Sequence, residues 1–140
     1  MTTQIPVTLL QQSELKVLKR IMKLGFLNSF KQRKSLSKFR LGLLHLRIET
    51  GRFVRPRLEP EDRVCLICRS GEVENELHFL LFCNEYKHFR QVLFGHISDY
   101  DEFCSWDSNS KLRYLVNDAS MVKQTAIYIV NAFDHRSTLL

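Results

Sequence analysis

Cys65 and Cys68 stand close together in VCLICRSGE, and His78 and Cys83 follow as H-x4-C, so the segment CLICRSGEVENELHFLLFC reads C-x2-C-x9-H-x4-C. No other feature constrains the fold of this chain as strongly. A C-x2-C pair in a tight turn, here closed by Gly71, lets two sulfurs face one point, and three thiolates with one imidazole complete a tetrahedral zinc site of the closed, structural kind. Such a site organises a fold and leaves no position for a reacting water. The spacing therefore predicts one structural Zn2+ on Cys65, Cys68, His78 and Cys83, with Arg63 and Arg69 flanking the turn to offset the net negative charge of a three-thiolate centre.

The H-x4-C spacing makes a geometric demand. Five residues along an unbroken α-helix turn two side chains about 140° apart, so His78 and Cys83 can share a metal only if the helix ends or loosens near Cys83. The expected arrangement has His78 inside a helix, Cys83 at its C-terminal edge, and Leu77, Leu80 and Leu81 turned toward the core. Two alternatives stay open on spacing alone. A C-x-x-C can be a redox pair, although the thioredoxin type needs a strand-to-helix turn in a βαβ context, and no segment here alternates as a strand for more than a few residues. His88 follows Cys83 as C-x4-H and can stand in for His78. Cys104 has no partner at ligand spacing and, beside Phe103 and Trp106, reads as a small core residue. His45, His96 and His135 read as surface or capping residues. The acid pairs Glu74 and Glu76, and Asp99 and Asp101, read as solvated surface.

The periodicity around this segment is helical, so the expected fold is mainly α, a small helical domain organised around the zinc knuckle. Leu15, Leu18, Ile21 and Met22 recur at helical spacing behind a possible cap at Ser13, predicting an amphipathic helix to about Leu27. A second helix is expected from Ser35 or Ser37, with Leu36, Phe39, Leu43 and Leu46 on one face and Lys38 and Arg47 pointing outward. Gly51, Pro56 and Pro60 mark residues 49–63 as a loop. Val73 to Phe82, Glu85 to Phe94 and Ser120 to Phe133 complete the expected helices, the last with Val122, Ala126, Ile129, Val130 and Phe133 on one side. A chain of 140 residues fits one domain. It has no apolar run of the ~20 residues that cross a bilayer and no secretory pattern at its start. An intracellular location, nucleus or cytoplasm, is expected, without membrane contact.

Charge is unevenly placed. Residues 1–63 hold 14 Lys and Arg against 5 Asp and Glu, whereas residues 64–140 hold 7 against 10. Between Lys31 and Arg57 there are nine basic residues and one acid, Glu49. That density favours a polyanion as partner over a small-molecule substrate. Lys38, Arg40, Arg47, Arg52, Arg55 and Arg57 are the expected phosphate contacts. Of the interleaved aromatics, Phe39 falls on the core period of its helix, while Phe53 sits in the loop where it can stack a base. No nucleophile elbow, P-loop, H-E-x-x-H or dinucleotide fingerprint occurs, and the expectation is a protein that is not an enzyme.

The runs LSKFRLGLLHLRIETGRFVR and EDRVCLICRSGEVENELHFLLFCNEYKHFR resemble the carboxyl-terminal zinc-binding region of reverse transcriptases from LINE-type, non-LTR retrotransposons. The resemblance extends from about Leu36 to Arg136. It implies the organisation 1–34 as an amino-terminal helix and linker, 35–136 as a reverse-transcriptase-type zinc-binding domain and 137–140 as a tail. It also selects His78 over His88 and does not imply reverse transcriptase activity, since polymerase and endonuclease domains are absent; RNA or DNA is the expected partner through the basic residues 31–57. Two other readings accompany it: a protein-interaction module using the helix at 13–27, and a folded remnant of a retroelement with no selected function.

Overall fold

The computed structural model describes residues 30–140. The helix expected at 13–27, with the protein contact assigned to it, lies outside the described residues. The elements run α1 (Phe30–Arg40), α2 (Arg47–Thr50), a 3-10 turn at Pro60–Asp62, a π-helical turn at His78–Phe82, a 3-10 turn at Asn84–Tyr86, α3 (Lys87–Phe94), α4 (Tyr100–Ser105), α5 (Ser108–Asn117) and α6 (Val122–Thr138). Among the described residues the extended structure amounts to one antiparallel bridge, Val64 with Val73. The fold is mainly α, and the Cys/His segment forms the expected knuckle within it.

The longest of the described helices, α6, is the hub. It buries Val122, Thr125, Ala126, Tyr128, Ile129, Ala132 and Arg136, and α1, α3 and α5 all pack against it. Phe79, fully buried, sits among Phe39, Tyr86 and Tyr128 at centroid separations of 6.2, 5.0 and 5.8 Å. A second aromatic group gathers on Phe103, with Phe94 at 5.3 Å and Trp106 at 5.8 Å. Edge-on and tilted pairs of this kind add to the apolar burial they already provide.

Several boundaries differ from expectation for local reasons. α1 is already helical at Phe30, so Ser35 and Ser37 are interior rather than capping residues, and the division expected between 34 and 35 falls inside a helix. Lys31 ties that first turn to Asp134 of α6 at 2.8 Å. The helix ends at Arg40 rather than running to Leu46. Gly42 takes φ +69°, Leu43 N–H donates to the Lys38 carbonyl at 2.8 Å and Gly42 N–H to that of Phe39 at 3.2 Å, the paired bonds of a Schellman stop. Leu43, expected on the core face, is therefore turned out to 51 % exposure. Val73 lies in the bridge rather than in a helix. α4 and α5, not anticipated, open on Asp99 and Asp107, whose carboxylates accept from Glu102 N–H at 3.1 Å and Ser110 N–H at 2.6 Å. Cys104 lies exposed on α4, one residue and about 100° of helix from the buried Phe103. It is not the core residue expected.

Candidate metal centre and basic loop

The knuckle is built from its backbone outward. Cys65 N–H donates to the Glu72 carbonyl at 2.8 Å and Glu74 N–H to the Arg63 carbonyl at 3.0 Å, closing a short hairpin around the C-x2-C turn. Arg69 takes φ +54° in that turn. The chain then enters a helical turn capped by Asn75, whose side-chain oxygen accepts from His78 N–H at 2.9 Å. From His78 the register widens, and Cys83 N–H donates to the His78 carbonyl at 2.7 Å, a five-residue step. A π turn holds more residues per turn than an α turn. It brings residues five apart back toward one face, which meets the demand that H-x4-C makes on a helix.

Two side chains hold this turn open at its end. Arg90 of α3 donates to the carbonyls of Leu80 at 2.9 Å and Cys83 at 2.8 Å, and the Tyr128 hydroxyl of α6 donates to the Phe79 carbonyl at 2.5 Å. Carbonyls at a helix terminus lack partners within the helix, and in a buried setting other groups must supply them. The sequence reading assigned neither residue this role.

The ligand atoms of Cys65, Cys68, His78 and Cys83 all lie within 4.8 Å of one another. Cys65 Sγ and Cys83 Sγ are 4.0 Å apart, and Cys68 Sγ is 3.4 Å from His78 Nε2. A tetrahedron with metal–sulfur bonds of 2.3 Å and metal–nitrogen bonds near 2.05 Å has edges of about 3.8 Å between sulfurs and about 3.5 Å between sulfur and nitrogen. These two contacts lie close to those edges, and the four side chains together can hold a metal. His88 lies outside this cluster, on α3.

Among the side chains themselves, the Cys65 and Cys83 sulfurs share a hydrogen bond. That hydrogen bond, opposed by burial and aided by His78 and the backbone N–H groups of Cys68 and Ile67, holds the Cys65 thiol down at about 3. The same contact, with burial, pushes Cys83 up. Burial works to lower His78, but the Cys65 and Cys68 sulfurs outweigh it and raise the imidazole to about 9. A divalent ion would take the place of the protons that the thiols and the imidazole carry. Around the ligands, His78 Nδ1 meets Glu72 Oε2 at 3.2 Å, the carboxylate–histidine arrangement that orients a metal-binding ring.

Glu74 and Arg63 connect this centre to the basic segment. Glu74, expected at the surface, is completely buried. Its carboxylate accepts from Arg136 of α6 at 2.7 and 2.8 Å and from Arg47 N–H at 2.6 Å, and one of its oxygens lies 3.8 Å from Cys65 Sγ. Its carbonyl accepts from Ile48 N–H at 3.0 Å. Arg63 does not serve the sulfurs; it is buried and donates to the carbonyls of Ile48 at 2.9 Å and Leu58 at 2.9 and 3.0 Å. Gly51 makes that approach possible, since a Cβ there would fall 2.5 Å from Arg63 Cγ. Both ends of residues 47–58 are thus tied to the two backbone segments of the knuckle. Glu76 is buried as well, and burial, reinforced by Glu49, raises its carboxyl to about 7.

The expected nucleic-acid contacts divide on burial. Arg40 is buried and donates to the Val116 carbonyl at 3.2 Å, so it joins α1 to α5 instead of meeting a phosphate. Lys38 and Arg47 are half-buried, and Phe39 is core. Arg52, Phe53, Arg55 and Arg57 are exposed on the clamped loop, Phe53 at 72 %. Arg52 pairs with Glu49 at 3.2 Å and lies 6.0 Å from the centre of the Phe53 ring. No helix of the described residues is long and apolar enough to cross a membrane. Comparisons of the chain with protein-family models, with curated proteins and with solved structures find no match.

Proposed function

We propose that this protein is a non-catalytic, zinc-stabilised nucleic-acid-binding module. Zinc is the metal that three thiolates and an imidazole in a tetrahedron suit best, and four protein ligands leave no open position for chemistry on the ion. Kinship with the LINE-type reverse transcriptase tail is part of the proposal and rests on the sequence resemblance alone. The observation that carries the function is the clamped loop. Arg52, Arg55 and Arg57 project from a segment whose two ends are fixed by Glu74 and Arg63 to the knuckle, so cations are held in place before a polyanion arrives.

Titrating labelled RNA and DNA against the zinc-loaded protein at several salt concentrations tests this. Once Arg40 is set aside, four arginines contacting a single strand predict that log K falls against log salt with a slope on the order of −3. Affinity that does not change with salt, or none for either polymer at low salt, would remove the proposal.

A further inference from the structure

We infer that the groove beside the basic loop receives an unpaired base, so that the ligand is a single strand rather than a duplex. This rests on the nucleic-acid reading above and goes beyond it by naming the form of the polymer. The groove, about 540 Å³, is lined by Lys38, Leu43, His45, Glu49, Thr50 and Phe53. Its walls come from the end of α1, the Schellman turn and α2, which the Glu74 carboxylate and carbonyl hold at Arg47 and Ile48.

The lining is unusual for a surface that only meets phosphates. Phe53 and Leu43 expose 72 % and 51 % of their area, and both flank the same opening. Phosphates gain nothing from an exposed phenyl ring, whereas a nucleobase stacks on it whatever its identity. The Arg52 guanidinium lies over the ring, 6.0 Å from its centroid, and can add a cationic contact to a stacked base. Glu49 and Thr50 offer acceptors, and Lys38 a donor, for the edge of that base. Charge complementarity selects the occupant. With Arg55 and Arg57 exposed on the same loop, a slot that sets Phe53 and Leu43 among polar side chains and is bordered by cations suits a polyanion that carries aromatic groups. In a duplex those groups are stacked inside and cannot reach Phe53.

Fluorescence anisotropy distinguishes the possibilities with one sequence prepared as single-stranded RNA, single-stranded DNA and DNA duplex, all at one salt concentration. The expected order is either single strand tighter than duplex. Phe53→Ala should weaken single-strand binding between about 5-fold and about 150-fold, the range for loss of one stacked base, with an unchanged salt slope. Phe53→Trp should retain affinity, and its added indole emission should be quenched on binding. Arg55→Gln with Arg57→Gln should instead flatten the salt slope for all three polymers. RNA and DNA single strands bound equally indicate that the base and phosphate suffice; a preference for RNA adds the 2′-hydroxyl to the same slot. Tighter duplex binding, or Phe53→Ala without effect while salt-dependent binding persists, overturns the base slot and leaves the nucleic-acid reading standing. Absence of binding to all three polymers overturns both.

Discussion

The knuckle, residues 63–83, and the helical layer of α1, α3, α5 and α6 hold together by different physics. The layer is assembled by apolar and aromatic burial around α6, and Phe79 of the knuckle's π turn inserts into it against Phe39 and Tyr128. The knuckle has one β-bridge, a turn with a left-handed arginine, and four metal-ligating side chains brought within 4.8 Å. Burial of large side chains stabilises a region in any solvent that excludes them. Donor groups crowded on one point stabilise a region only through what they bind. The two regions meet at the buried Glu74–Arg136 pair and at the π turn, whose Phe79 and Leu80 belong to the same buried core as α6, so order in one is passed to the other through these contacts.

Metal removal should separate them most. One zinc per chain is expected by native mass spectrometry, and its loss on chelation or in Cys65→Ser removes a contribution that reaches about 10–16 kcal/mol in small zinc peptides. Hydrogen exchange should then quicken across residues 63–83 and at Ile48, while the centre of α6 stays protected. If α6 loses protection in parallel, the layer depends on the knuckle and the contrast fails. Glu74→Gln attacks the joint itself. It leaves Arg136 buried without its carboxylate and should cost about 3–5 kcal/mol in denaturant unfolding of the zinc-loaded protein. Arg136→Met added to it should recover part of that loss.

Glu76 sharpens the contrast through pH. Its folded carboxyl titrates near 7, above the ordinary 4.5, so the folded chain binds more protons than the unfolded one between these values and stability falls as pH rises through them. Between pH 6 and 8 the zinc-loaded protein should lose about 1.4 kcal/mol from this group, and Glu76→Gln should flatten that part of the pH profile. A profile unchanged by the substitution would show that Glu76 reaches water. The smallest effect belongs to the layer. Gly42→Ala, at φ +69°, should lower the midpoint of thermal unfolding by an amount equivalent to about 1 kcal/mol, with zinc stoichiometry unaltered.

Legibility in the sequence follows the same division. The metal ligands could be read because coordination fixes residue type and spacing together, and the helical class could be read because apolar periodicity survives in Phe39, Ala126 and Ile129. What escaped was polar. Glu74, Arg63, Arg90 and Arg136 are charged residues whose ordinary place is the surface; their burial is set by partners 5 to 62 residues away in the chain. Arg40 went wrong for the same reason, counted among the cations of a basic run when its partner is a carbonyl of α5. Gly42 and the aspartates at 99 and 107 were local signals and could have placed the end of α1 and the starts of α4 and α5.

The π turn has a further consequence. Ligands four apart on an ordinary α-helix also share a face, about 40° from alignment, so a spacing one residue shorter could hold a metal equally well. What the wider turn adds is a stopping place. Cys83 leaves it in an extended conformation, so the rotation set at the metal is not carried on into α3, and the Arg90 guanidinium, bonded to the Leu80 and Cys83 carbonyls, joins the two again. The turn works as a coupling between two shafts: the metal sets the rotation of one, the aromatic layer that of the other, and a single arginine keys them together.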